Sequence, residues 1–151
     1  MVIGHVFPKI MATTLAGNEC TLPDDAAGSV ALIAVFAHSV QARIDAQVRA
    51  FEDASFPDIE IFRVPLIDSP FWKLLSGIVD AGMRSATPPE DHDRVVTFYG
   101  NAEPIRRSLG VLNHSSSGLF LLDRSGTIRW EGNGEAEIGR LIEIARDLSS
   151  G

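Results

Sequence analysis

Residues 30–37, VALIAVFA, are an unbroken run of eight apolar side chains. A strand with one wet face alternates polar and apolar residues, whereas a strand covered on both faces is apolar throughout. Residues 30–36 therefore read as an interior strand of a parallel sheet. A parallel neighbour requires a crossover, usually a helix. The sequence supplies one from residue 39 to 54, where Val40, Ile44, Val48 and Phe51 recur at three- and four-residue spacing behind Ser39, a suitable N-cap.

Residues 59–64, IEIFRV, read as the next strand, ended by Pro65. Asp68-Ser69-Pro70 starts a second helix carrying Phe71, Leu74, Leu75, Ile78 and Val79 on one side. Residues 87–93 read as a loop, 94–99 (RVVTFY) as a third strand and 103–109 as a short helix. The stretches 119–122 and 127–130 form an antiparallel pair through Asp123-Arg124-Ser125-Gly126, with glycine where a positive φ is expected. Residues 135–148 close the chain as an amphipathic helix with Ile138, Leu141, Ile142, Ala145 and Leu148 inward and Glu135 and Glu137 at its start. Before all of these, residues 11–22 form a hairpin centred on Ala16-Gly17-Asn18.

At 151 residues with 45% hydrophobic and 22% charged side chains, the chain fits one domain, residues 1–151, and excludes a disordered or collagen-like polymer. The net charge of -7 disfavours nucleic acid and anionic membrane surfaces as partners. The longest apolar run falls far short of the roughly 20 residues a membrane-spanning helix needs. The N-terminus has neither a basic region with an apolar core nor an Arg/Ser-rich presequence. A single cysteine, Cys20, excludes an internal disulfide, a CxxC pair and a cysteine zinc site.

Hairpin, βαβ, inserted αβ pair, short helix, hairpin and final helix describe an α/β three-layer sandwich with a mixed central sheet. That order resembles the thioredoxin-like fold, in the branch with an N-terminal hairpin and an inserted αβ element. In that branch the redox cysteines lie after the first central strand, where a helix N-terminus stabilises a thiolate. Here the stretch is Ala37-His38-Ser39-Val40-Gln41-Ala42-Arg43-Ile44, with no cysteine, and the fold's cis-proline position falls close to Ser117. Thiol–disulfide chemistry is therefore not expected.

FPKI, LAGNECTLP, Trp72-Lys73, Pro89 with His92-Asp93, Asn113, Ser117-Gly118 and LLDRSGTIRW followed by Gly132 and Gly134 occur in order along the chain. Together they resemble the mitochondrial ATP synthase assembly-factor family, whose members chaperone the membrane proton-channel subunit. The resemblance implies a redox-inactive, non-enzymatic protein binder that needs no cofactor and no metal. Its partner would be another protein, such as an ATP synthase membrane subunit. The compartment would be the cytoplasm in a bacterium, or the mitochondrial matrix side in a eukaryote whose presequence is missing from this chain.

The implied partner-binding residues are Trp72, Lys73, His92, Asp93, Arg129 and Trp130. Trp72 lies off its helix's apolar stripe, as an exposed aromatic for a client would. Trp130 is most simply a core residue, and Arg129 a candidate for a buried ion pair or a partner contact. At the edge where the fold usually has its active site lie His38, Ser39, Gln41, Arg43, Asn113, His114 and Ser117. A thioredoxin-like enzyme using non-cysteine chemistry around His38, Gln41, Arg43 and His114 is the alternative reading. No G-x-S-x-G elbow or well-spaced acid supports it, and helix capping with loop polarity accounts for the same residues. Residues 90–93 (EDHD) lack metal-ligand spacing, since consecutive side chains diverge. A homodimer with a purely structural role is a third reading. Cys20, in the hairpin, reads as a buried small hydrophobe.

Overall fold

A computed structural model describes residues 3–26, 28–37, 41–53, 59–67, 85, 94–99, 103–109, 117–132 and 138–150. The strands are β1 (Ile10–Thr14), β2 (Glu19–Leu22), β3 (Val30–Ala37), β4 (Ile59–Ile67), β5 (Val96–Tyr99), β6 (Ser117–Leu122) and β7 (Ile128–Gly132). The helices are α1 (Gln41–Glu52), α2 (Glu103–Leu109) and α3 (Ile138–Ser150), with a 3₁₀ turn at Asp24–Ala26 before β3. One seven-stranded sheet runs β2-β1-β5-β4-β3-β6-β7. β3, β4 and β5 are mutually parallel, β6 is antiparallel to β3, and β1 is antiparallel to both β2 and β5.

The apolar run of β3 is explained by this position. Ala31, Ile33 and Val35 face one core with Phe62, Val64, Phe120 and Leu122, covered by Phe7, the Cys20–Leu22 strand and Ile105 and Leu109 of α2. Val30, Leu32, Ala34 and Phe36 face the other, with Leu119, Leu121 and Trp130, covered by Ile44, Val48 and Phe51 of α1 and Leu141 and Ala145 of α3. Helices thus cover both faces of the sheet, and β3 contributes to each layer at every second residue.

Several boundaries differ from the sequence reading. Pro65 does not end β4: the strand continues to Ile67, with Pro65 opposite Phe36. The reason lies on the β5 side, where the ladder pairs Arg63 with Val95 and resumes at Leu66 with Phe98. Proline, lacking an N–H, sits in that gap. The third strand begins at Val96 rather than residue 94, because Arg94 still lies in a 3₁₀ turn. β6 begins two residues earlier than read, at Ser117, since Phe36 and Val35 provide partners for Ser117 and Gly118 despite their weak strand preference. The second helix from Asp68, the loop at 87–93, and Glu135 and Glu137 lie outside the described residues.

Candidate functional site

The sheet topology brings several of the candidate positions to one edge. β3, β4 and β5 all end there, and α1 begins there with Gln41 and Arg43 in its first turn. Ser117 begins β6 at the same edge, its Cα opposite that of Phe36 one residue before β3 ends. The backbone therefore places Gln41, Arg43 and Ser117 around the end of β3. His38, Ser39, Asn113 and His114 lie outside the described residues, as do Trp72, Lys73, His92 and Asp93. The described cis peptide is Leu22–Pro23, far in sequence from Ser117. Cys20 is buried in β2, opposite Ala12 and within the core beside Leu22, not at the start of α1.

The β6–β7 hairpin holds the two remaining candidates, Arg129 and Trp130. Its turn is organised by one carboxylate. Asp123 Oδ1 accepts hydrogen bonds from the Ser125 N–H at 2.9 Å, the Ser125 hydroxyl at 2.6 Å and the Thr127 N–H at 3.1 Å. Its Oδ2 accepts from Arg129 Nε at 2.7 Å. Gly126 completes the turn at φ 84, the left-handed conformation that glycine adopts without strain. Burial alone would push the Asp123 carboxyl up, yet the bonds from Ser125, Arg129 and Thr127 outweigh it and hold the pKa at about 2, below the ordinary 3.8.

Past the turn the ladder slips: Leu122 is opposite Ile128, whereas Leu121 is opposite Trp130. Arg129 is the extra residue of a β-bulge. The slip sets which way each side chain faces. Ile128 enters the core under α2, Trp130 enters the core under α1 and α3, and Arg129 is left facing neither. Trp130 is 6% exposed, a packing residue. Arg129 does form an ion pair, but an open one, since its side chain is 53% exposed.

Residues 3–7 run along the outside of this hairpin. Gly4 N–H donates to the Ile128 carbonyl at 2.8 Å, Ile128 N–H to the His5 carbonyl at 2.9 Å, and Phe7 N–H to the Gly126 carbonyl at 3.0 Å. Phe7 anchors the segment, its ring edge-on to Phe120 at 6.0 Å. Ile3 and Val6 remain exposed along the same edge.

Two further clusters carried no sequence signal. Arg63, on β4, reaches α1 through Asp45 at 3.1 Å and Glu52 at 3.2 Å. Arg94 pairs with Glu60 at 3.0 Å and lies over the Phe62 ring at 5.1 Å. Both are contacts between elements distant in sequence, so no local spacing announces them. Among the described residues no group of three or more His, Cys, Asp or Glu side chains is arranged to hold a metal ion. No described helix is long and apolar enough to cross a membrane.

A profile of the ATP10 protein family matches residues 4–143. The chain belongs to the ATP10 family. No curated protein matches the sequence. Among solved structures, this ATP10-family chain is similar to BsSco, a member of the Sco family of cytochrome c oxidase assembly proteins, at 12% identity, TM-score 0.66, covering 99% of this chain and 96% of that one. It is also similar to the pneumococcal exposed lipoprotein thioredoxin Etrx1 of Streptococcus pneumoniae, at 12% identity, TM-score 0.63, covering 93% and 100%. A third is the thioredoxin domain of a thiol-disulfide oxidoreductase from Bacteroides vulgatus, at 16% identity, TM-score 0.60, covering 96% and 99%. These likenesses establish a thioredoxin-like fold.

Proposed function

We propose that this ATP10-family protein acts by binding another protein, as an ATP synthase assembly factor that carries no thiol chemistry. The observation that carries the reading is the family match over residues 4–143 on a thioredoxin-like fold whose single cysteine is buried in β2. Dithiol exchange in this fold requires a thiolate at the start of the helix after the first central strand, and a second sulfur to resolve the mixed disulfide. With Cys20 alone, on another element, neither requirement is met. Binding rather than turnover is then the use left for the surface, with a membrane subunit of the synthase as client.

Affinity capture from its own organism in mild detergent tests this. A membrane subunit of ATP synthase should be recovered with the tagged chain and depleted when Trp72 is replaced by serine. Recovery of soluble proteins alone would sink the assignment.

A further inference from the structure

We propose that Asp25 guards an edge of the sheet: its carboxylate occupies the backbone donor through which β2 would otherwise pair with the β2 of a second copy of this chain. The sheet ends in β2 on one side and β7 on the other. An unpaired outer strand offers its N–H and C=O groups to any other chain. The molecule closes its two edges by different means. At β7 the cover is backbone, since Gly4 and Phe7 N–H donate to the Ile128 and Gly126 carbonyls and Ile128 N–H donates to that of His5. Among the described residues no strand lies beyond β2, and a side chain takes that part.

The register shows which groups β2 leaves open. Hydrogen-bonded and non-hydrogen-bonded pairs alternate along an antiparallel ladder. Thr14 N–H donates to the Asn18 carbonyl at 2.8 Å, so the next bonded pair is Ala12 with Cys20, and Glu19 and Thr21 belong to the pairs between. Both of these residues therefore direct N–H and C=O out of the sheet edge. Thr21 N–H agrees, since it donates to Asp25 Oδ2 at 2.7 Å and not to β1. Two such strands are complementary about a two-fold axis. With Cys20 opposite its counterpart, Glu19 of each copy exchanges both of its bonds with Thr21 of the other. A register centred on Thr21 is poorer, because it sets Glu19 against Pro23, which has no N–H and whose carbonyl already accepts from Ala26 N–H at 2.9 Å.

Asp25 blocks the better register at its donor. Its Oδ2 stands where the carbonyl oxygen of an incoming strand would sit. A bond to a carboxylate is stronger than the neutral bond that would replace it, and pairing would bring the carboxylates of both copies to one joint. The neighbouring Asp24 does not share the task, being paired with Lys9 at 3.2 Å.

Sedimentation velocity and amide hydrogen exchange on the full chain test this with wild type, D25A, D25N and D25A/T21P, each shown by thermal melting to be folded. Wild type and D25N, which keeps an oxygen acceptor, should sediment as one chain up to about 1 mM. D25A should approach the mass of two chains, half-associated at about 0.1–1 mM, the weak range expected of a few backbone bonds. Its Glu19 and Thr21 amides should become protected as concentration rises. T21P removes the donor without costing a bond to β1, so D25A/T21P should return to one chain. If D25A does not melt cooperatively, D25S, whose oxygen is one bond closer to the backbone, takes its place. An opened edge that stays one chain throughout, association of wild type or D25N with the same amides protected, or association of D25A that survives T21P overturns the inference.

Discussion

Asp123 gathers four hydrogen bonds on one carboxylate, so its ionised form is selected by the folded hairpin. Its folded pKa of about 2 lies below the ordinary 3.8, so between those values the unfolded chain binds more protons than the folded one. The stabilisation is present above pH 3.8 and is lost as the pH falls toward 2. Asp123→Asn should therefore destabilise at neutral pH by about 1–2 kcal/mol, discounted for the exposed Arg129. Urea unfolding at several pH values should show the gap between variant and wild type closing below pH 4, roughly. Elsewhere two polar atoms work against the fold. Gln47 Oε1 and Thr97 Oγ1 are buried without a hydrogen-bond partner. Replacing Thr97 by valine, or Gln47 by methionine, should stabilise by about 1 kcal/mol, read as a higher melting midpoint.

At the scale of elements, what the sequence revealed depended on whether the causes were local. The β3 run, the α1 stripe of Ile44, Val48 and Phe51, and the Asp123–Gly126 turn are legible because burial period and turn chemistry are written in neighbouring residues. Arg63 to Asp45, the gap that accommodates Pro65, and the bulge at Arg129 depend on register with a neighbouring strand or contact with another element, and no window of sequence contains that. For the candidate positions, the order of elements was enough to bring Gln41, Arg43 and Ser117 to one edge of the sheet, whereas the bond from Arg129 to Asp123 emerged only with side chains in place. Gly126 joins the two kinds of cause. Its φ of 84 is local, yet a Cβ there would also lie 3.2 Å from Pro23 Cγ, on the stretch leading into β3. Gly126→Ala should therefore destabilise by about 1–3 kcal/mol in denaturant unfolding, combining backbone strain with displacement of a ring that cannot rotate away.

For the whole molecule, β3 lies between β4 and β6 and contributes to both cores, so residues from both halves of the sequence depend on one strand. Such an arrangement predicts a single unfolding transition, with tryptophan fluorescence and far-ultraviolet circular dichroism changing together. The place of Cys20 on the same sheet bears on the binding reading proposed above. A thiol–disulfide exchanger keeps its reactive sulfur accessible at a helix N-terminus, so that an incoming disulfide can reach it. Cys20 is 6% exposed and held in β2 opposite Ala12, where attack would require opening the hairpin. In an insulin-reduction assay the protein should match the buffer blank, and an aromatic disulfide reagent should label Cys20 slowly when native but at once in denaturant. Rapid native labelling would show the hairpin opening readily, whereas insulin reduction that persists in Cys20→Ser, with the assay dithiol as the reductant, would mean that the activity does not run through the chain's one thiol and that a binding-only reading of the fold is wrong.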